Sequence, residues 1–207
     1  MAEFVYVLTN EAMDGLVKIG RTTTSVEQRI RELDNTSMPL PFQCFYAAEV
    51  ENSSLVEGKL HRIFSDKRIR SNREFFRADA NQVKEAIQLA ELKEVTPKVD
   101  VVVDASDVQA LQRAVATEER RTRLRFSELG ISDGAVLTFT KDSNMTCTVV
   151  ADGRVLFEGN TLSPSASALL AVRKMGYQWA AVSGSDYWEF EGETLAARRL
   201  RLEDEQQ

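Results

Sequence analysis

The sequence predicts an α+β fold in two small domains joined by a helical linker. Three observations lead there. Over residues 4 to 90, short segments rich in β-branched and aromatic residues alternate with segments of helical apolar spacing, in the order strand, strand, helix, strand, helix, helix. A stretch centred on Thr96-Pro97-Lys98 then reads as a linker, and from Leu124 onward short strands and an Asp152-Gly153 turn precede a helix opened by Ser163-Pro164. The implied boundaries are 1–92, 93–125 and 126–207.

Phe4-Val5-Tyr6-Val7-Leu8 is apolar and β-branched enough for a strand, and Asn10 to Gly15 supply the turn before a returning strand from Leu16 to Arg21. Ser25-Val26-Glu27-Gln28 resembles a capping box and opens a helix that turns Ile30 and Leu33 inward and ends near Asp34-Asn35. Pro39 and Pro41 break the chain before a third strand, Gln43 to Val50. A second capping box, Ser54-Leu55-Val56-Glu57, starts a helix with Val56, Leu60, Ile63 and Phe64 at helical spacing. Asp79 with Gln82 starts another, with Val83, Ala86, Ile87 and Ala90 on one face.

Lys93 to Asp104 reads as linker, with a short strand at Val99 to Val103. Ser106-Asp107 caps a helix carrying Val108, Leu111 and Val115 and ending in the arginine-rich segment Glu118 to Arg125. Beyond it, Ala135 to Thr140 and Thr146 to Ala151 read as strands, and Asp152-Gly153 as a hairpin turn before Val155-Leu156-Phe157. Ser163-Pro164 places an N-cap before a proline at the first helical position, and Gly176 stops that helix. Trp179 and Trp188 flank a short loop, and the charged stretch Arg198 to Gln207 reads as a frayed tail.

Composition narrows the class. Hydrophobic residues make up 43% and charged residues 28%, ordinary for a soluble globular chain, and no apolar run approaches the ~20 residues that span a bilayer. Met1-Ala2-Glu3 lacks the basic start of a secretory signal, and the two cysteines, Cys44 and Cys147, fall in separate predicted domains; a cytoplasmic location is the expectation. A formal net charge of −6 argues against a nonspecific DNA coat. Locally the balance reverses, because Lys59 to Arg77 holds seven basic residues against two acidic ones, and Arg120, Arg121, Arg123 and Arg125 form a second run.

Tyr6, Lys18-Ile19-Gly20, Arg29 and Glu57 supply the parts for phosphodiester cleavage with one metal ion: a hydroxyl beside a water, two cations for phosphate, and one carboxylate. Each also has an ordinary reading. Tyr6 suits a half-buried strand, Gly20 a turn, Glu57 the third position of a capping box, and Arg29 a surface pair with Glu32 or Glu27. Taken in order and context, the set resembles the GIY-YIG nuclease superfamily over residues 3 to 90, closest to a phage-type branch whose second motif reads Lys-Ile-Gly.

That resemblance implies a small antiparallel sheet flanked by helices, and roles for the matching residues. Tyr6 would be the general base or its relay, Lys18 would lower the Tyr6 pKa and touch phosphate, and Arg29 would clamp the scissile phosphate. Glu57 would hold one Mg²⁺ or Mn²⁺. His61, the only histidine, falls in the pattern Glu57-x-x-x-His61-x-x-Phe64 of that branch, with metal binding, proton transfer, phosphate contact and a structural role all open to it. Gly20, Arg21, Lys59, Arg62, Arg68, Arg70 and Arg73 would line the DNA path. Glu74-Phe75-Phe76 also matches the branch, standing where other members carry an asparagine; this and Lys18 are departures from the superfamily pattern.

Residues 126 to 195 resemble the RAMA module of restriction and modification proteins, through Gly134-Ala135-Val136-Leu137-Thr138-Phe139, Asp152-Gly153 and Ser163 to Ala168. It implies a DNA-sensing role, for which Tyr177, Trp179, Tyr187 and Trp188 are the candidate base-stacking aromatics; filling a small core is the other reading. The function expected is a metal-dependent DNA endonuclease of restriction or mobile-element type, acting on double-stranded DNA. One site per chain cuts both strands as a homodimer or by successive nicks. A noncatalytic DNA-binding regulator on the same scaffold is the alternative, and an RNA nuclease a third.

Overall fold

The computed structural model describes residues 2–13, 15–35, 38–101, 105–121 and 126–205, with backbone alone for 118–121. The side chains of the arginine-rich run from Arg120 to Arg125, and Val102 and Val103 of the expected short strand, therefore lie outside what is described. The fold is α+β with two antiparallel sheets, and the chain divides into two units, Met1–Asp107 and Val108–Gln207.

The first sheet grows around β1 (Glu3–Thr9), whose Val5, Tyr6, Val7 and Leu8 are all buried. An unbroken apolar run marks a strand covered on both faces, and β1 is indeed central. It pairs with β2 (Val17–Thr22) on one side and β3 (Gln43–Val50) on the other; β4 (Phe75–Phe76) extends the sheet beyond β2, and β5 (Glu91–Glu94) beyond β3. Helix α1 (Val26–Leu33) is capped by Ser25, whose hydroxyl accepts from the Gln28 amide, and buries Val26 and Ile30 in a cluster with Tyr6, Leu8, Phe42, Cys44 and Ala47. Helix α2 (Ser53–Ile63) contacts β2 and β1, and α3 (Ala80–Gln88), capped by Asp79, contacts β1 and β3.

Three details differ from the sequence reading. The cap of α2 is Asn52, which accepts from the Leu55 amide at 2.9 Å, not Ser54. Helix α3 stops at Gln88, so Ala90 lies past its end. The stretch read as linker from Lys93 begins inside an edge strand, because Glu91-Leu92-Lys93-Glu94 has one apolar residue and shows no alternation; charge on an edge is how sheets avoid further pairing. After β5, the Val95 amide donates to the Ala47 carbonyl at 2.9 Å, and the Thr96 hydroxyl accepts from the Ala47 amide at 3.1 Å.

Helix α4 (Ala105–Arg121) spans the division between the units and buries Leu111 and Val115. The second unit contains a six-stranded sheet made of β6 (Val136–Phe139), β7 (Asp142–Val150), β8 (Arg154–Phe157), β9 (Asn160–Leu162), β10 (Trp188–Phe190) and β11 (Glu193–Thr194), in the order β11-β10-β6-β7-β8-β9. Asp152 and Gly153 both take positive φ, 63° and 68°, between β7 and β8, as the Asp-Gly signal requires. Helix α5 (Pro164–Lys174) starts at Ser163 with Pro164 at its first position; α6 (Gly184–Tyr187) is one turn, and α7 (Leu195–Glu205) closes the unit. As far as Glu205, the expected frayed tail is thus a helix, held by Arg201 pairing with Glu193 and Glu205.

The four aromatics proposed to stack a base are all buried. Trp188 is fully enclosed, edge-on to Phe139 and Phe157, and its indole N–H donates to the Pro164 carbonyl and the Ser167 hydroxyl. The Tyr177 and Trp179 rings pack at 4.4 Å, tilted by 42°, with Tyr187 against Trp179 and stacked on Phe139. A buried aromatic satisfies its polar edge and gives its faces to neighbours, so this core offers no open face to a base. Among the described residues, no helix is long and apolar enough to cross a membrane.

Gly184 allows the start of α6 to press on the start of α5: a Cβ there would stand 2.3 Å from the Pro164 carbonyl carbon and 2.4 Å from the Ser165 nitrogen. Gly58 in α2 has open space around it. Urea unfolding should therefore show Gly184→Ala destabilised by at least about 2 kcal/mol, and Gly58→Ala unchanged or stabilised by about 0.5–1 kcal/mol.

Candidate active site

The β1–β2 ladder pairs Tyr6 with Gly20, Leu8 with Lys18 and Phe4 with Thr22, which places these residues on one face of the sheet. The Tyr6 ring lies across Gly20. A Cβ on that glycine would sit 2.7 Å from the phenol oxygen and 2.8 Å from Cζ, so the glycine is there for the ring and not for a turn. Tyr6 is 1% exposed, and its oxygen accepts from Arg29 Nε at 3.4 Å.

Burial pushes the Tyr6 pKa up from its ordinary value of 10; Arg29 opposes this, while the Glu74 and Glu57 carboxylates add to it. The phenol therefore stays protonated at neutral pH. The lowering expected of a neighbouring ammonium is not seen, because burial outweighs the effect of Arg29. What remains is a hydroxyl held in place by Arg29 that can donate to an oxygen or relay a proton.

Lys18 is the cation that was to do the lowering. Its side chain is 7% exposed, and its ammonium is paired with the Glu74 carboxylate and lies 5.7 Å from the centre of the Phe75 ring. Backbone geometry enforces the meeting, since β4 pairs Phe75 with Lys18 and the Ile19 amide donates to the Glu74 carbonyl at 3.1 Å. Burial raises the Glu74 pKa, but the Lys18 ammonium outweighs it, with His61 and Arg29 adding to the effect, and the carboxyl stays below its ordinary 4.5. Lys18 is thus a neutralised, buried charge and not a free phosphate contact. Glu74 joins the site as a residue that sequence reasoning noted only as part of Glu74-Phe75-Phe76.

Arg29 projects from α1, its Nη1 donating to Glu32 at 3.1 Å, the surface pair anticipated from the sequence. Glu57 projects from α2 and accepts from Arg21 Nε at 3.2 Å. Because Asn52 caps this helix, Glu57 stands two positions beyond the third helical residue and the capping-box explanation for it lapses. His61 Nε2 lies 3.0 Å from the Ile19 carbonyl, which can only accept, so Nε2 carries the hydrogen and is closed to a metal; in the neutral ring the lone pair is on Nδ1. The His61 ring also packs on Phe76 at 5.1 Å, tying α2 to the β2–β4 edge.

Of the basic stripe, Lys59, Arg62, Arg70 and Arg73 are exposed. Arg68 is not a phosphate contact: its Nε donates to the Arg73 carbonyl at 2.6 Å and its guanidinium lies over Phe76 at 5.5 Å. Arg21 keeps a solvent-facing side chain with its Nε engaged by Glu57.

Among the described residues no three His, Cys, Asp or Glu gather as a metal cage. That suits Mg²⁺ nonetheless, which keeps several waters and binds through one or two carboxylates together with substrate phosphates. Glu57, a largely buried carboxylate acting electrostatically on Tyr6, is a donor of that kind.

Residues 3–91, which run from β1 into β5 and include every residue of this constellation, match the family model of the T5orf172 domain, a GIY-YIG-related domain. No curated protein and no solved structure matches the chain.

The overlap of Tyr6 with Gly20 predicts strong coupling. Gly20→Ala should cost about 1–3 kcal/mol in the parent but much less in a Tyr6→Ala background, and additive costs in a double-mutant cycle would remove the steric explanation. For the buried pair, Glu74→Gln, which strands the Lys18 ammonium, should lower the melting temperature more than Lys18→Met, with Lys18→Met/Glu74→Gln recovering most of the loss. The folded Glu74 pKa is depressed, so its contribution is fully present above the unfolded value of 4.5 and fades as pH falls through the folded value. The stability gap between parent and Glu74→Gln should accordingly hold from pH 7 to about 5 and close in stronger acid.

Proposed function

We propose that the T5orf172 domain of this chain is a DNA endonuclease using one Mg²⁺ or Mn²⁺ per site, with the second unit selecting the DNA. The observation that carries the reading is the Tyr6 hydroxyl held by Arg29 above Gly20, under the electrostatic influence of Glu57 and Glu74. Arg29 offers a planar fork to a phosphate that competes with Glu32 for it. The Tyr6 phenol accepts from Arg29 and donates its own hydrogen to a phosphate oxygen, so the two share the charge that builds as water adds to phosphorus and the bond to the leaving oxygen breaks. Glu57 would hold the cation, which when bound supplies an acidified water and neutralises phosphate charge. Exposed Lys59, Arg62, Arg70 and Arg73 would carry the flanking duplex.

The RAMA-type reading of residues 126–195 is supported by the motif residues alone. With Tyr177, Trp179, Tyr187 and Trp188 in the core, substrate choice would fall to surface residues, of which Arg154 and Arg173 are exposed while Lys174 is paired with Glu158. A noncatalytic DNA-binding role is favoured by one observation, the neutralisation of Lys18 by Glu74.

Supercoiled plasmid, unmodified or carrying modified cytosines, is the direct assay. With Mg²⁺ or Mn²⁺ the parent should nick or cut, chelator should abolish it, and Glu57→Ala and Arg29→Ala should lose at least about 100-fold. Tyr6→Phe should lose a comparable amount while keeping its melting temperature. Salt-dependent binding without cleavage under any divalent ion would establish the noncatalytic reading, and preferential cutting of matched RNA would replace DNA as substrate.

A further inference from the structure

Just before Glu74 the chain carries Lys67, Arg68, Arg70 and Arg73, with no acidic residue between positions 67 and 73. These cations are not equivalent. Arg68 is turned inward, its Nε on the Arg73 carbonyl at 2.6 Å, its guanidinium over Phe76, and its backbone bridged to Phe76. The Ile69 amide donates to the Phe75 carbonyl at 3.0 Å and the Arg77 amide to the Lys67 carbonyl at 2.8 Å, which ties the two arms together at the base. The Arg73 amide donates to the Arg70 carbonyl at 3.0 Å and closes the tip.

The result is a projecting turn, Arg70-Ser71-Asn72-Arg73, exposed at all four positions and pinned from beneath by a fifth residue. Ile69, at the foot of the turn, is 51% exposed among these cations. The C-terminal arm runs straight into Glu74, paired with Lys18, and into β4 beside β2. The foot of the turn is therefore part of the candidate site. A preformed turn has little ordering entropy left to lose on binding.

We propose that this turn engages duplex DNA beside the reacting phosphate, with Arg70 and Arg73 on the backbone, Asn72 at a base edge, and Arg68 as the positioning residue that holds the tip. The assignment rests on the nuclease reading above and adds the element of the first unit that grips the duplex beside its site, whichever DNA the second unit brings to it. A short guanidinium-bearing turn suits the narrow minor groove of B-form DNA, whose negative potential attracts arginine. The A-form minor groove of RNA is wide and shallow and offers no such slot. In the minor groove an asparagine amide, with a donor and an acceptor, separates A·T from G·C pairs and little more.

The test is equilibrium binding of labelled duplex to the full chain in a Glu57→Gln background, which removes cleavage, titrated with salt. Arg70→Ala/Arg73→Ala should weaken binding on the order of tenfold and flatten the plot of log affinity against log salt by about 2. Asn72→Ala should keep the slope and narrow the affinity ratio between A·T-rich and G·C-rich duplexes. Arg68→Met should weaken binding with the slope unchanged, whereas a slope loss of about 1 would make Arg68 a phosphate contact and overturn its positioning role. If the parent binds duplex and Arg70→Ala/Arg73→Ala binds identically, the turn is not the interface and the nuclease reading stands. If the parent binds no duplex at any salt concentration, the nuclease reading fails first. Tighter binding of duplex RNA overturns the choice of DNA.

Discussion

The antiparallel register that sets Tyr6 opposite Gly20 is the constraint on which the first unit's site depends. A slip of one residue would send Tyr6 to the face of Val5 and Val7 and place a side chain beneath the ring. With the register as it is, the phenol lies flat over backbone and its hydroxyl reaches Arg29. That meeting also needs α1, which packs Val26 and Ile30 into the same apolar cluster as Tyr6 and Leu8. On the other side of β2, strand β4 delivers Glu74 to Lys18. One strand therefore supplies the gap for the tyrosine, the buried lysine and, at Arg21, the partner of Glu57.

Each cation at the centre of the site faces a carboxylate, and the pairs differ in how easily they exchange. Arg21 with Glu57 and Arg29 with Glu32 are partly exposed pairs with little to lose, since exposed ion pairs are typically worth ~0–1 kcal/mol. An incoming phosphate can displace either carboxylate at small cost. Lys18 is different, because only its partner's side chain, 40% exposed, reaches solvent. Its charge belongs to the architecture, and the mobile positive charge available to a substrate is arginine. This reconciles a chain of net charge −6 with the phosphate-directed role proposed for the site.

Much of this was legible in the sequence, for local reasons. The continuous apolar run of β1, the Asp152-Gly153 turn and the Ser163-Pro164 start of α5 are signals carried by adjacent residues, and each appears where its chemistry requires. What escaped depended on partners far along the chain or on competing signals. Asn52-Ser53-Ser54 offers three good caps in a row, and geometry chose the first. Strand β5 has no apolar alternation to read, and α7 is held partly by Glu193, which precedes it. The pairing of Lys18 with Glu74 crosses 56 positions, and nothing local to either residue announces it. Tyr6 could be named as a site candidate from its motif, but its protonation state follows from burial, which one strand's sequence cannot state.

The segment after β5 bears on how the first unit can be made portable. Ala47, opposite Tyr6 on the neighbouring strand, has both of its remaining peptide groups satisfied by residues 95 and 96, and Val95 and Val101 pack against the cluster beneath Tyr6. A fragment cut at residue 92 would keep every side chain of the constellation, yet leave a buried N–H and a buried C=O without partners, at about 1–3 kcal/mol each. A graft of this unit onto another protein therefore carries its tail as an essential part, and a fusion joint belongs beyond Val101.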